Sequence, residues 1–288
     1  MRVSGSILIL GLAAFVPGFV DAQFPTVRLA VVPSPEDTGL LRELLPDFER
    51  ESGYRVVVYS GEDVYEVARS GQADLVISHY GHSGVDAFVA QGLGLWPRAV
   101  FGNQIALIGP TEDPAQIRGL QDAGAAFRRI ALSGRARFVS NNSSIMKYLE
   151  EVLWEAAGRP PKGAWFSDVG ASEAAGMSLA ARMQAYYIFA LPPFLKWKQE
   201  CSDPASCQMD ALLLAGPMPH RIMFSIVVNP LRFPAINILG AGALQEYLLR
   251  PAVQARVEGF RDPRSEHPLW RAAGLHNSAA ALGLGGRP

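Results

Sequence analysis

The hydrophobic pattern near the start of the chain predicts strands and helices in alternation. Residues 27–32 form a short apolar run rich in valine, which is typical of a buried parallel strand. Leucines at helical spacing follow, so we predict a helix over residues 34–51 that ends at Gly53. Ser34 is the expected N-cap of this helix, and Asp37 is expected to complete a capping box.

The same alternation continues along the next segment. We predict a strand at residues 54–59, a helix at 64–70 and another strand at 73–78. Strands and helices that alternate every roughly 10–15 residues indicate parallel βαβ units. The chain is therefore expected to have an α/β fold.

Two further apolar strands, predicted at residues 104–109 and 224–229, each lead into a proline. The segment between them has elements of its own, predicted as strands at 126–131 and 137–140 and helices at 145–157 and 171–187. A chain that leaves one α/β unit, builds another and returns forms two lobes with a cleft between them. We expect lobe I to contain residues 23–104 and 230–288, and lobe II to contain residues 105–229.

The first 22 residues have the layout of a secretory signal peptide. Arg2 supplies the positive start, residues 7–20 are apolar, and Ala22 provides a small residue before Gln23. An uncleaved membrane anchor is the alternative. No later segment reaches the roughly 18 uninterrupted apolar residues that cross a bilayer. We therefore expect a periplasmic or secreted protein.

The predicted export bears on whether the two cysteines, Cys201 and Cys207, form a disulfide. They enclose a loop of turn-forming residues, and an oxidising compartment favours a disulfide between them. Such a small ring contributes at most about 2–3 kcal/mol through the entropy of the unfolded chain. Two free buried thiols are the alternative, and a metal pair is disfavoured because no histidine is close in sequence.

Composition excludes several classes of protein. The 288 residues are 49% hydrophobic and 18% charged, a globular and not a disordered composition. With 26 basic and 27 acidic residues the net charge is −1, so no long-range attraction to nucleic acid is expected. The densest basic group, formed by Arg128, Arg129, Arg135 and Arg137, is interpreted as a solvated face or as a docking patch for a permease.

Enzymatic chemistry finds no support in the motifs. The sequence contains no His-Glu-x-x-His, no nucleophile elbow and no phosphate-binding loop. His79 and His82 are the only close histidine pair, and no third metal ligand is indicated for them. We therefore predict neither an enzyme nor a cofactor.

A series of short motifs runs along almost the whole chain. The series includes Asp37-Thr38-Gly39-Leu40-Leu41, Gly71 with Ala73-Asp74-Leu75 and His79, Ile108-Gly109-Pro110 with Asp113-Pro114-Ala115, and Val228-Asn229-Pro230. In this order they resemble the periplasmic tungstate-binding proteins of ABC importers, a branch of the type II periplasmic-binding-protein superfamily. The resemblance implies two α/β lobes joined by two crossing strands. It also implies a solute-binding protein that captures a tetrahedral oxyanion such as tungstate or molybdate and presents it to the permease.

The ligand-binding motifs of that family are altered in this chain. Val31-Val32-Pro33-Ser34 stands where the family has Thr-Thr-Thr-Ser, and Ser60-Gly61-Glu62 stands where it has Gly-Thr-Gly. The signature Ser-Arg-Gly-Asp-x-Ser-Gly-Thr becomes Ser-Asn-Asn-Ser-Ser-Ile-Met at residues 140–146, and a later Asp-Arg becomes Ala190-Leu191. The resemblance places the ligand contacts at Ser34, Ser60, Gly61, Glu62, Ser140, Asn141, Asn142, Ser143 and Ser144.

Three of these residues, Ser34, Ser60 and Ser143, are expected to follow strand ends next to helix N-termini. Unpaired backbone N–H groups bind anions at such positions. Each serine also has an ordinary explanation as a cap or turn residue. His79 is better explained as a core or rim histidine, and the adjacent tyrosines at 186 and 187 as packing residues.

Glu62 bears most directly on the identity of the ligand. Unless its carboxylate points outward, it would repel a doubly negative oxyanion. We therefore expect weak or absent tungstate binding, and a different small polar solute in a sensor or orphan receptor role is the alternative function. The expected partners are the small-molecule or oxyanion ligand and an ABC permease, and the protein is expected to be a monomer that binds no nucleic acid.

Overall fold

The computed structural model describes residues 25–79, 82, 84–214, 220–263 and 267–277. The predicted signal peptide, residues 1–22, lies outside these described residues. Within the ranges given, no helix combines the length and the apolar character needed to span a membrane.

The described residues form a mixed α/β fold. The strands are β1 (Thr26–Val31), β2 (Arg55–Ser60), β3 (Leu75–His79), β4 (Arg98–Pro110), β5 (Phe138–Val139), β6 (Phe166–Ser167), β7 (Tyr187–Ala190), β8 (Met209–Leu213), β9 (His220–Val227) and β10 (Trp270–Ala272). The α-helices are α1 (Pro33–Asp37), α2 (Leu40–Ser52), α3 (Val64–Arg69), α4 (Val85–Ala90), α5 (Ala123–Leu132), α6 (Ser144–Ala156), α7 (Glu173–Arg182), α8 (Leu191–Glu200), α9 (Ile238–Leu249) and α10 (Pro251–Gly259). A single 3₁₀ turn, Gly274–Asn277, follows β10 in the described chain.

The first three strands lie side by side in parallel. Val31 at the end of β1 lies beside Ser60 of β2 and Ile77 of β3, so the carboxyl ends of all three strands meet at one edge of the sheet. The sheet continues from β3 through the antiparallel strands β9, β4 and β10. This arrangement confirms the parallel α/β units that the alternating pattern predicts.

Strand β4 has two sets of partners along its 13 residues. Its amino-terminal half pairs with β9 and β10, and its carboxyl-terminal half pairs with β7 and β8. Buried apolar residues form two clusters, the larger one around β1, β3 and α2 and the smaller one around α5, β5 and α6. The second half of β4 contributes Ile105 and Leu107 to the smaller cluster and Ala106 and Ile108 to the larger one. Alternate side chains of this strand thus face different cores.

The helix predicted over residues 34–51 is two helices. Gly39, with φ of +83°, separates α1 from α2. Glycine adopts this left-handed conformation at little steric penalty, so the chain changes direction here. The predicted end of the helix is confirmed, because Gly53 is the C-cap of α2 and its N–H donates to the carbonyl of Glu49.

The predicted capping roles of Ser34 and Asp37 are wrong. Helix α1 begins at Pro33, two residues before the first helical position that a cap at Ser34 implies, so Val32 occupies the N-cap position and makes no side-chain capping bond. Asp37 lies in the last position of α1, where its carboxylate accepts a hydrogen bond from Lys196 Nζ at 2.9 Å. Pro33, which suits the first position of a helix, moves the start of α1 ahead of Ser34.

The strand predicted at residues 126–131 is also wrong, because this segment lies within α5. Asp122 caps this helix by accepting a hydrogen bond from the N–H of Ala125 at 3.0 Å. Ala126, Phe127 and Ile130 are buried at helical spacing. Arg128 and Arg129 interrupt the apolar residues of this segment, so its pattern has the spacing of a helix face and not of a strand.

The helix predicted over residues 171–187 is shorter than expected. Helix α7 ends at Arg182, and Gln184 then has φ of +49°, which a continuing helix does not allow. The following apolar residues form β7, which pairs antiparallel with β4. Further along, Cys201 and Cys207 form a disulfide with their Cα atoms 5.8 Å apart, which closes the loop after α8.

Candidate functional site

A cavity of about 280 Å³ opens where the three parallel strands end. The residues that matter for its chemistry are Ser34, Glu62, His79, Glu173, Lys196 and Arg221. Ser34 follows β1, Glu62 follows β2, and His79 is the last residue of β3. Glu173 lies in the first turn of α7, Lys196 in α8 and Arg221 in β9. Ligands of open α/β sheets bind at this kind of edge.

Charged groups of both signs line the cavity, and one of the cations is already neutralised. Lys196 is half exposed, and its ammonium lies 2.9 Å from the Asp37 carboxylate. Arg221, by contrast, has no ion pair with any carboxylate among the described residues. Its guanidinium is therefore the cation of the cavity whose charge is least compensated.

The guanidinium of Arg221 is held by His79. Arg221 Nη2 donates a hydrogen bond to His79 Nε2. His79 is only 8% exposed, and burial, reinforced by the positive charge of Arg221, lowers the pKa of His79 to about 2. The ring is therefore neutral at physiological pH, and its proton is on Nδ1 because Nε2 acts as the acceptor.

Glu62 lies at the rim of the cavity. Its side chain is 75% exposed, and its Oε2 atom lies 3.5 Å from His82 Nε2. Hydrogen bonding with His82 lowers the pKa of Glu62, and the charge of Arg221 acts in the same direction. The carboxylate is therefore ionised at neutral pH and exposed to solvent, which weakens its repulsion of an anion deeper in the cavity.

Glu173 has an unusual backbone conformation. Its φ is +47°, in the left-handed region that costs a non-glycine residue about 1 kcal/mol or more. Two hydrogen bonds hold it there: its N–H donates to Asn141 Oδ1 at 3.4 Å, and its carbonyl accepts from Tyr187 Oη at 3.1 Å. Backbone strain of this kind occurs frequently at ligand-binding sites.

The structure brings only part of the predicted site to this cavity. Ser34 and Glu62 line it, whereas Ser60 is exposed at the end of β2 outside the lining. The N–H of Gly61 donates to the carbonyl of Val31 at 3.1 Å, which fixes the turn after β2. Ser34, Ser60 and Ser143 therefore do not share this cavity.

The run from Ser140 to Ser144 lies at the end of β5 and the start of α6, outside the cavity lining. Ser140 Oγ and the N–H of Asn141 both donate to Glu150 Oε2 at 3.1 Å. Asn141 Nδ2 donates to the carbonyl of Ile188 at 3.0 Å. Burial raises the pKa of Glu150 to about 6, although these hydrogen bonds oppose the shift.

Lys147 completes the network on its exposed side. Its Nζ donates to Ser140 Oγ at 3.1 Å, to Asn142 Oδ1 at 3.2 Å and to Asp168 Oδ2 at 2.5 Å. Ser143 holds the N-cap position of α6 without a capping bond, and its buried Oγ has no partner in the described chain. Ser144 is exposed in the first turn. Most polar groups of this run thus bond to one another.

The sequence pattern did not identify Arg221 or Glu173 as site residues. An arginine at the start of the apolar run of β9 is a signal that could have singled out Arg221, since a charge in a buried strand needs a partner. Tyr186 and Tyr187 both lie outside the cavity lining, as expected for packing residues. The buried Tyr186 Oη donates to Asp113 Oδ1 at 2.7 Å.

Two other candidate sites, a metal site and a groove lined by arginines, have less support in the structure. Among the described residues, no group of three His, Cys, Asp or Glu side chains could hold a metal ion. Arg128, Arg129 and Arg135 line a separate groove of about 570 Å³ beside α5. Arg128 and Arg129 there donate to backbone carbonyls of the protein itself.

Comparison with known proteins places the chain in a family. The family model for bacterial extracellular solute-binding proteins matches residues 28–183, more than half of the chain. A Haloferax volcanii protein whose name assigns it anion binding for an ABC transporter is 31% identical over 244 residues, which cover 83% of this chain and 70% of that protein. The tungstate-binding protein TupA of Peptoclostridium acidaminophilum is 27% identical over 252 residues, 85% of each chain.

Solved structures support the same fold. The tungstate ABC transporter protein from Geobacter sulfurreducens is 26% identical, with a TM-score of 0.64 over 82% of this chain and 98% of its own. The tungstate-binding protein TupA from Desulfovibrio alaskensis has a TM-score of 0.68 over 86% of this chain and 99% of its own. At 24% identity, this second likeness concerns the fold alone.

Proposed function

The chain belongs to the bacterial extracellular solute-binding protein family, and we propose that it captures a small oxyanion outside the cytoplasm for an ABC importer. Members of this family bind solutes and catalyse no reaction, in keeping with the absence of catalytic motifs from the sequence. The observation that carries the proposal is the partly buried Arg221, which has no ion pair among the described residues, in a cavity at the carboxyl ends of three parallel strands. Relatives named for anion and tungstate binding support the same ligand class.

We propose that the ligand sits between two lobes, with lobe I formed by residues 23–104 and 230–288 and lobe II by residues 105–229. The change of partners along β4 supports this division, and the smaller apolar cluster lies wholly within the residues of lobe II. Of the residues that line the cavity, Glu62 and His79 belong to lobe I and Glu173 belongs to lobe II. A ligand that contacts both would stabilise a closed form, which the permease recognises.

The altered motifs affect which oxyanion is bound. Hydroxyl and arginine positions of the tungstate-binding motifs are missing, and four carboxylates line the cavity, those of Asp37, Glu62, Glu173 and Glu200, with Asp37 paired to Lys196. We therefore propose weaker binding of tungstate than of a less highly charged oxyanion. The proposed partner is an ABC permease, and the protein is proposed to act as a periplasmic or secreted monomer.

A calorimetric titration of the purified protein, without residues 1–22, tests the proposal. Tungstate, molybdate, sulfate and phosphate serve as probes, and a thermal-shift screen with small polar organic solutes runs in parallel. We expect at least one of the four oxyanions to bind with a measurable heat and to raise the melting temperature. Binding of an organic solute with no response to any oxyanion would contradict the proposed ligand class and favour the receptor with a changed ligand.

A further inference from the structure

We propose that Arg221 is the residue that anchors the ligand's anionic oxygens and that His79 positions its guanidinium. The inference rests on the proposed function, because it names the residues of the same cavity that hold the oxyanion. It assigns the binding of the ligand's negative charge to Arg221 of β9 and not to the serines near helix N-termini. Arg221 would contact the ligand, and His79 would act only through Arg221.

The first support is the electrostatic state of Arg221. Burial is the main cause that lowers the pKa of Arg221, although an arginine stays protonated in proteins. A buried charge is strongly unfavourable unless an opposite charge or several hydrogen bonds compensate it. Among the described residues its guanidinium bonds to a neutral imidazole and forms no ion pair, and the Glu173 and Glu62 carboxylates attract it only from a longer distance. A bound anion would add the direct compensation that these carboxylates do not give.

The second support is a cluster of polar atoms without partners at one point of the β4–β9 ladder. The described chain has five buried side-chain polar atoms that lack a partner, and four of them belong to adjacent pairs of this ladder. Asn103 lies opposite Arg221, and Gln104 lies opposite His220. Successive residues of a strand project from opposite faces, so Asn103 and Arg221 are on one face of the sheet, and Gln104 and His220 are on the other. Protein interiors rarely leave buried polar atoms unpaired, so the pair of Asn103 and Arg221 marks available hydrogen-bonding capacity on the face of Arg221.

Two of these atoms belong to neighbouring side chains. Residues directly opposite each other in an antiparallel pair project from the same face of the sheet. Asn103, which is 1% exposed, and Arg221 are such a pair, so Asn103 Oδ1 and Arg221 Nε lie on one face. Arg221 reaches the cavity lining from this face, and its Nε–H donates a hydrogen bond to no described residue.

The third support is the geometry that His79 imposes. A neutral histidine accepts through Nε2, so it binds one Nη of Arg221 without neutralising the guanidinium charge. Its side chain is fixed by burial at the end of β3, where His79 lies opposite Met223 of β9. An arginine fork bound at one nitrogen keeps its other N–H groups for a bidentate contact with an oxyanion.

Lys196 provides a matched control for the loss of positive charge. It lines the same cavity, but its ammonium is paired with Asp37 at 2.9 Å and is half exposed. Removing it changes the net charge by the same amount as removing Arg221. The proposal predicts that only the arginine change abolishes tight binding.

The experiment compares Arg221→Gln, Arg221→Met and Lys196→Gln with the wild type by calorimetric titration. The probe is whichever of tungstate, molybdate, sulfate and phosphate the wild type binds most tightly. Loss of a charge-assisted bidentate contact should weaken binding about 30-fold or more in both Arg221 variants. Lys196→Gln should weaken it by less than about 3-fold, as for an exposed ion pair. The unliganded Arg221 variants should melt no lower than the wild type, because they remove a partly buried charge that has no ion pair among the described residues.

The positioning role of His79 has its own readout. His79→Leu removes the acceptor and should weaken binding about 5-fold or more, whereas His79→Gln keeps an acceptor oxygen and should restore most of the affinity. Equal losses in the two variants would overturn the positioning role. If the wild type binds an oxyanion and a folded Arg221→Gln binds it equally well, the anchor proposal fails while the proposed function stands. If the wild type binds none of the four, both fail.

Discussion

Two polar regions of this protein differ in how their hydrogen-bonding groups are used. In the first, Glu150 accepts from Ser140 and from the backbone of Asn141, while Lys147 bonds to Ser140 and Asn142. In the second, the cavity at Arg221, the Nε of Arg221 has no partner among the described residues, and neither has Asn103 Oδ1, which lies opposite Arg221 in the sheet. Apart from Ser143 Oγ, the polar groups named in the first region bond to one another, whereas Arg221 and Asn103 each keep an atom without a partner among the described residues.

The contrast separates a structural network from a receptor surface. Groups that already bond to one another must break those bonds to take a ligand, which reduces the net gain from binding. Groups that are buried and unpaired gain the full value of each new bond. The Ser140–Ser144 run resembles a family binding motif by position, yet its contacts are those of a scaffold that also holds Glu173 through Asn141.

The strongest test of this comparison is the removal of the Glu150 carboxylate. Glu150→Ala leaves the N–H of Asn141 and the hydroxyl of Ser140 without their acceptor in a fully buried position. Unsatisfied buried donors together with the new cavity should lower the free energy of unfolding by about 3 kcal/mol. Urea denaturation at pH 7 measures the change.

The neighbouring Glu151 is the matched control for this change. Its carboxylate is half exposed and pairs with Lys162 at 2.8 Å. Glu151→Ala should change the free energy of unfolding by no more than about 0.5 kcal/mol. Equal effects of the two alanine substitutions would show that the buried network is not a stabilising scaffold, and the comparison between the two regions would lose its basis.

The pH dependence of stability gives a second, smaller test. Burial raises the pKa of Glu150 from 4.5 to about 6. Because the folded state holds the proton more tightly, the protein should lose stability as pH rises from about 4.5 to about 6, by about 2 kcal/mol in all. Glu150→Gln does not titrate, so its stability relative to the wild type should improve by about this amount between pH 4 and pH 7.

Thermal or urea unfolding at several pH values measures this difference between Glu150→Gln and the wild type. Glu151→Gln is the control, and its difference from the wild type should change by less than about 0.5 kcal/mol over the same range. A Glu150→Gln curve that runs parallel to the wild-type curve would mean that the carboxylate is solvated, contrary to its complete burial in the structure.

Local patterns predicted the parallel strands and the end of α2, because alternating apolar runs and a terminal glycine act within a few residues. The strand prediction failed at α5 because it passed over Arg128 and Arg129: with these two arginines between them, the apolar residues at 126, 127, 130 and 131 have the spacing of a helix face. Arg221 lies beyond the reach of such patterns. Its contact with His79 spans 142 residues and depends on the pairing of β9 with β3. The receptor chemistry therefore becomes visible only when the sheet is assembled.

The smallest effect compares two serines of the same run, which sequence alone treats alike. Ser140 is fully buried and its Oγ bonds to both Glu150 and Lys147, whereas Ser143 Oγ is buried without a partner in the described residues. Ser140→Ala should lower the free energy of unfolding by about 1.5 kcal/mol, and Ser143→Ala should leave it within about 0.5 kcal/mol of the wild type. Calorimetric titration of the same variants provides the decisive contrast. If Ser143→Ala weakens oxyanion binding more than Arg221→Gln does, the unpaired hydroxyl is a ligand contact, and the α6 terminus, not the cavity at Arg221, is the receptor.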